Sequence, residues 1–188
     1  SRGELASTLN HLLSYKKFLD TENDLAIIME DDADFIIDEF IFVIKRLIKI
    51  IDKRKPQVYL LTPVVAYLNS NSKDFSEDYK VVKVIQSWDS SGYVINREAA
   101  KKMINANSRS WFIADDWVRY KRHAKVDVFS IIPTIIKQNL NVFDSNLMAS
   151  RNKAIKSRSL KYILSRLAHK SISDIKKYFW LIPFKGYI

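Results

Sequence analysis

Cysteine is absent from the 188 residues, which rules out disulfides, thiolate metal sites and a cysteine nucleophile, and suits a reducing compartment. Glycine is almost as scarce. With only Gly3, Gly92 and Gly186, neither G-x-G-x-x-G nor G-x-x-x-x-G-K-[ST] can be written anywhere. A bound nucleotide would therefore need something other than glycine-loop amides to hold its phosphates. His11, His123 and His169 lie too far apart for a local two-histidine metal motif. No apolar run approaches the roughly 18 to 20 residues that cross a bilayer, and Ser1-Arg2-Gly3-Glu4 has no signal-peptide pattern, so no segment of this sequence is expected to span a membrane.

What is present is a core-forming composition, 47% hydrophobic and 12% aromatic, with a net charge of +10. A balance of that sign suggests an anionic partner. Its distribution is uneven: residues 151–188 hold ten basic side chains and one acid, Asp174, and the first 150 residues are left with a net charge of +1. The expected organisation is one folded domain over 1–150 and a basic helical tail over 151–188.

Helical spacing of Leu5, Leu9, Leu12, Leu13 and Phe18 predicts a helix over 4–19, with Glu4, Ser7, Thr8 and His11 on the opposite, solvated face. Leu25–Met29 is a short apolar run that suits a strand buried on both faces. Ile37, Phe40, Ile41, Ile44, Leu47, Ile48 and Ile51 follow a 3.6 period, closed by Lys53-Arg54-Lys55-Pro56. Strands are expected at 58–61, 81–86, 93–95 and 126–132, a helix after the N-cap Asn96, a short helix after Trp117, and a polar surface loop over 69–80. The alternation predicts an α/β sheet with helices on both faces.

The most informative run is Glu30-Asp31-Asp32-Ala33-Asp34, four carboxylates in five residues directly after a strand. Open α/β sheets bind ligands outside the carboxyl ends of their strands, and crowded carboxylates repel unless they share a cation. Mn²⁺ or Mg²⁺ takes a few carboxylate oxygens and fills its other positions with water and phosphate. The run equally describes an acidic helix N-terminus, in which Asp34, Asp38 and Glu39 favour the helix dipole. A second candidate is Asp115-Asp116, between Trp111-Phe112-Ile113 and Trp117, where aromatic surroundings would desolvate a carboxylate and suit it to general-base work. Another acidic helix start is the alternative there. Trp88 and Tyr93, flanking Ser91-Gly92, have the shape to stack on a sugar or base, and equally that of core aromatics.

Together these segments resemble glycosyltransferase family 25, the lipooligosaccharide-biosynthesis galactosyltransferases and their collagen-galactosyltransferase relatives. Gly3-Glu4-Leu5 with Asn10-His11-Leu12 is similar to that family's Gly-Glu-Ile and Ser-His helix, with Asn10 replacing the serine. Ile27-Ile28-Met29-Glu30-Asp31-Asp32-Ala33 resembles its Glu-Asp-Asp strand, Trp88–Asn96 with Arg97-Glu98-Ala99-Ala100 its Gly-Tyr-Ile-Ile strand and Ala-Ala helix, Ile113–Trp117 its later aspartate motif, and Ile132–Gln138 its closing Pro-to-Gln segment.

The resemblance implies a GT-A fold, a UDP-sugar donor, most often UDP-galactose, a Mn²⁺ or Mg²⁺ ion and inversion at the anomeric carbon. It places Glu30 and Asp32 at the metal, with Asp34 as an alternative register, and Glu4, His11, Asp31, Trp88, Ser91, Tyr93 and Gln138 around the substrates. Asp115 or Asp116 becomes the candidate base. It also implies that a strand and an arginine-rich segment precede the part matched, so the domain is expected to be incomplete at its N-terminus.

In the tail, Leu160, Ile163, Leu164 and Leu167 share a helical face among Lys156, Lys161 and Arg166. A basic amphipathic segment with Trp180 and Phe184 fits an anionic membrane surface, which would hold a cytoplasmic enzyme on the inner face of the membrane beside a glycolipid or oligosaccharide acceptor. Packing of that face on the domain is the other reading. Competing functions are a nucleic-acid-binding module built on the tail, disfavoured by a nearly neutral body and an acidic cluster that repels phosphate, and a metal-dependent phosphoryl transferase or nuclease. An inactive remnant that keeps the fold is the last.

Overall fold

Residues 2–109 and 112–138 are described in a computed structural model of the chain. Their order is α1 (Arg2–Leu19), β1 (Leu25–Met29), β2 (Ala33–Asp34), α2 (Ile37–Ile50), β3 (Gln57–Leu60), β4 (Ala66–Asp74), β5 (Lys80–Gln86), β6 (Gly92–Asn96), α3 (Arg97–Arg109), α4 (Trp117–Arg119) running into a π-helical turn (Tyr120–Ala124), β7 (Asp127–Ile132) and β8 (Lys137–Gln138). The proposed tail, 151–188, and its boundary at residue 150 lie outside the described residues.

Six strands form one mixed sheet in the order β1-β6-β3-β7-β5-β4, in which β3 and β7 are parallel and the other pairs antiparallel. Alternate residues of each strand serve opposite faces. Val58, Leu60, Tyr93, Ile95 and Val128 pack with Tyr15 and Phe18 of α1, Ala99, Ala100 and Met103 of α3, and Trp117 and Tyr120. Tyr59, Val81, Val94 and Ile131 pack with Val43 and Leu47 of α2 and with Ile135 and Ile136. Helices thus cover both faces, as the alternation of elements predicts.

Asn96 is the N-cap of α3 and more. Its Oδ1 accepts from the amides of Ala99 (2.9 Å) and Gln57 (3.1 Å), and its Nδ2 donates to the carbonyls of Lys55 (2.6 Å) and Asp52 (3.1 Å). One buried amide side chain therefore joins α3 to β3 and to the turn after α2.

Three expectations are corrected. Among the described residues β1 is an edge strand paired only with β6, and Ile27 and Met29 are 41% and 43% exposed, so it is not buried on both faces. The polar stretch 69–80 is not a surface loop: β4 runs through it to pair with β5, and Phe75 and Tyr79 at the turn reach the core beneath α2. In α1 the division of faces differs: Thr8 and His11 of the expected solvated face turn inward, and of the apolar stripe Leu12, Phe18 and Leu19 pack on the core. Thr8, His11, Tyr15 and Phe18 are buried, while Leu5, Leu9 and Leu13 are 44%, 45% and 53% exposed. The inward polar side chains all find hydrogen-bond partners, which is the condition for burying them.

Candidate functional site

The site forms where β1 ends. The Glu30 amide donates to the Ser91 carbonyl (2.9 Å), extending the β1–β6 ladder one step, and the chain then turns through Asp31 and Asp32 into β2. β2 pairs with β8, opposing Ala33 to Gln138 and Asp34 to Lys137. That pairing delivers Gln138, whose Nε2 donates to Asp32 Oδ2 at 2.6 Å. Asp32 Oδ1 is buried and has no hydrogen-bond partner among the described residues. The Ile136 side chain packs directly over Gly92, so a residue with a Cβ there would have to displace it.

Behind the acidic turn, α1 supplies His11, 5% exposed, between two partners. Its Nε2 lies 3.1 Å from Glu30 Oε1 and its Nδ1 2.7 Å from Tyr93 Oη. Tyr93 Oη in turn bonds to Tyr15 Oη, and Ser90 Oγ donates to Glu30 Oε1 at 2.7 Å. The His11 ring stacks on Tyr93, which stands edge-on to Trp117. Burial pushes the Tyr15 and Tyr93 hydroxyls well above their ordinary pKa, so both stay protonated.

The β5–β6 connection adds a carboxylate that sequence reasoning misses. Asp89 Oδ1 accepts from the Ser91 amide (2.8 Å) and from the Ser91 hydroxyl, and the Trp117 indole N–H holds the Asp89 carbonyl (2.8 Å). Burial raises the Asp89 pKa against the pull of the two Ser91 bonds, and the charges of Glu30 and Asp32 raise it further. The signal in the sequence was Asp-x-Ser before a glycine-initiated strand, a local Asx turn. Trp88, half-buried, begins this same connection.

Asp115 and Asp116 sit on the neighbouring turn. The Ala114 amide donates to Thr8 Oγ1 (3.1 Å), which ties the turn to α1, and Trp117 ties it to Asp89. Asp116 is buried and engaged on both oxygens: Oδ1 caps α4 through the Arg119 amide (3.1 Å) and Oδ2 pairs with Arg119 Nε (3.2 Å). Asp115 is half-exposed.

The structure therefore brings Glu30, Asp32, His11, Ser91, Tyr93 and Gln138 into one place, with Trp88 and the Asp115–Asp116 turn adjoining. Asp31 and Asp34 are exposed on the outer side of the acidic turn, and Glu4 lies half-buried two helical turns before His11. His11 is not on a solvated stripe, as its spacing had implied, because Glu30 and Tyr93 satisfy both ring nitrogens. Among the described residues no three His, Asp or Glu side chains converge tightly enough to enclose a metal ion.

No curated protein matches the chain. The family model described as glycosyltransferase family 25 (LPS biosynthesis protein) matches residues 1–118, which take in α1, the acidic turn, Asp89–Tyr93 and Asp115–Asp116, and the chain belongs to that family, a sugar transferase of LPS biosynthesis that takes a sugar donor and an acceptor.

Proposed function

We propose that the chain is an inverting, metal-dependent transferase on a GT-A-type frame, moving a hexose, galactose in the first instance, from a UDP-sugar to a lipooligosaccharide or related glycan. The observation that carries this reading is the acidic turn at the carboxyl end of β1, where Asp32 keeps one buried oxygen without a hydrogen-bond partner among the described residues while Gln138 holds the other. An orphaned carboxylate oxygen close to the charges of Glu30 and Asp89 fits a hard cation. Glu30 and Asp32 would hold Mn²⁺ or Mg²⁺, with Asp34 at the rim. When bound, the ion supplies positive charge against that developing on the departing UDP.

The chain's own groups divide the remaining work. His11, Tyr93 and Ser91, buried behind Glu30 and Asp89, support the site without reaching its surface, whereas Trp88, Asp31 and Gln138 border it; Glu4 lies farther along α1. Asp115 is the base: it takes the proton of the acceptor hydroxyl as that oxygen bonds to the anomeric carbon and the opposite bond to the UDP oxygen breaks, which inverts the centre. Asp115 is preferred to Asp116 for that role because Arg119 engages both oxygens of Asp116. Residues 151–188 hold the enzyme at the anionic inner face of the membrane, near a lipid-linked acceptor. Among the described residues no helix is long and apolar enough to cross a membrane.

The test is a panel of UDP-sugars with Mn²⁺ and a truncated lipooligosaccharide acceptor. Wild type transfers one hexose, and Asp32→Ala loses several kcal/mol of transition-state stabilisation, about a hundredfold or more in turnover. Transfer by neither protein, or equal transfer by both, overturns the assignment.

A further inference from the structure

We infer that His11 is the positioning residue of Glu30, held as its Nε2–H tautomer by a one-way chain of hydrogen bonds that begins at the buried hydroxyl of Tyr15. Its consequence for donor binding rests on the transferase reading; the tautomer does not.

The direction of the chain follows from its acidic end. A carboxylate only accepts, so the contact at 3.1 Å requires the hydrogen on His11 Nε2. In the neutral ring Nδ1 then offers a lone pair and must receive the Tyr93 hydroxyl hydrogen across 2.7 Å. With its hydrogen so committed, Tyr93 Oη accepts from Tyr15. Every donor is used once and every acceptor is met. The other neutral tautomer would set a bare Nε2 against Glu30 Oε1, two acceptors 3.1 Å apart with no hydrogen between them. The packing blocks the escape from that clash, rotation of the rings. His11 lies nearly parallel to Tyr93, with centroids 5.8 Å apart and 15° between planes, and Tyr93 is wedged edge-on between Tyr15 and Trp117.

At the far end, His11 Nε2 and Ser90 Oγ both bond Glu30 Oε1. Two donors from different elements converging on one oxygen fix the plane of a flexible side chain whose backbone is already anchored to Ser91. Carboxylates that serve a ligand are commonly oriented this way from behind. The buried polar face of α1 is thereby explained: the helix turns His11 and Tyr15 inward because they form the strut for the acidic turn.

Two measurements on the full chain decide the matter. In the first, ¹⁵N-histidine spectra, with the His11 signals assigned by their loss in His11→Gln, report the tautomer. Nε2–H is expected, with the signals shifting in both Glu30→Gln and Tyr93→Phe. An Nδ1–H ring, or signals unmoved by either substitution, overturns the proposal. The second compares calorimetric binding of UDP with Mn²⁺ to His11→Gln and His11→Asn, both checked for folding by thermal melting. The Gln amide reaches the Nε2 position and restores a donor to Glu30; the Asn amide reaches only the Nδ1 position. His11→Asn is expected to weaken binding by about tenfold to a hundredfold and His11→Gln by less than tenfold. Equal losses would reduce His11 to a packing role. If wild type binds no UDP with Mn²⁺, the transferase reading falls and the tautomer alone decides the positioning role.

Discussion

Two adjacent aspartates with the same chemistry are separated by what surrounds them. Asp116 spends Oδ1 on an N-cap and Oδ2 on Arg119, so its removal is felt in folding. Asp116→Ala should cost about 1 to 2 kcal/mol through the cap, with no more than about 1 kcal/mol added by an ion pair whose arginine is half in solvent. Asp115→Asn, which keeps the shape of the side chain, should lower turnover about a hundredfold to ten-thousandfold, the range for a lost general base. Denaturant unfolding beside transfer assays with a UDP-sugar separates the two; an inactive, fully stable Asp116→Asn together with an active Asp115→Asn would exchange their roles. Part of this site was legible in the residues alone. The acidic run directly after a strand was visible as a candidate, because it is local in sequence, and the structure brings Glu30 and Asp32 of that run together with His11 and Gln138 at the end of β1. Asp89 was not visible, because its role depends on burial beside two charges that are distant in sequence, and a side-chain bond to Ser91 leaves no periodic imprint.

The helix α1 illustrates what periodicity reads and what it misreads. Its span is recovered to within two residues at the start, because the apolar spacing and the turn after Leu19 are local signals. The inward turn of Thr8 and His11 is missed by that criterion, although Phe18 and Leu12 pack inward as it predicts, because hydrophobic pattern ranks leucine above threonine and histidine, whereas the fold accepts a fully hydrogen-bonded polar side chain. Thr8 makes the point quantitative. Its hydroxyl donates to the Glu4 carbonyl (2.8 Å) and accepts from the Ala114 amide (3.1 Å), at zero exposure. Thr8→Val keeps the shape but strands the Ala114 N–H in the core, at a cost of about 1 to 3 kcal/mol. Leu9→Gln, one residue on and in the apolar stripe, should change stability by less than about 0.5 kcal/mol. Urea unfolding of the two variants checks this, and a larger loss for Leu9→Gln would mean that the leucine face is covered in the folded protein. The same distinction holds for the strands: apolar runs located β1, β3, β5, β6 and β7, but β4, which runs through the polar residues 69–74, and the short β2 and β8 are defined by pairing partners that no run announces.

At the scale of the whole molecule, the charge is divided unevenly along the sequence, and the proposed membrane role of the tail turns on that division. The first 150 residues carry a net +1 and contain the acidic turn, while ten of the chain's 31 lysines and arginines lie after Ser150, with one acid among them. A body that is nearly neutral does not bring an enzyme to an anionic surface; a segment at +9 does, with each basic residue near such a surface contributing about 1 kcal/mol. That attraction decays within a Debye length, about 10 Å at 0.1 M salt. The full chain should therefore co-sediment with vesicles containing phosphatidylglycerol, bind vesicles of phosphatidylcholine alone more weakly, and dissociate as salt rises. Replacing Lys153, Lys156, Arg158 and Lys161 together by Gln should remove most of the binding, because four of nine net charges contribute several kcal/mol at this scale, while transfer to a soluble oligosaccharide acceptor stays at the wild-type rate. Transfer to a vesicle-embedded glycolipid should fall in the same variant, because only that acceptor requires the enzyme at the surface. Binding to neutral and anionic vesicles alike, or an unchanged rate on the embedded acceptor after the four substitutions, would remove the tail from the membrane and leave its charges as solvated surface.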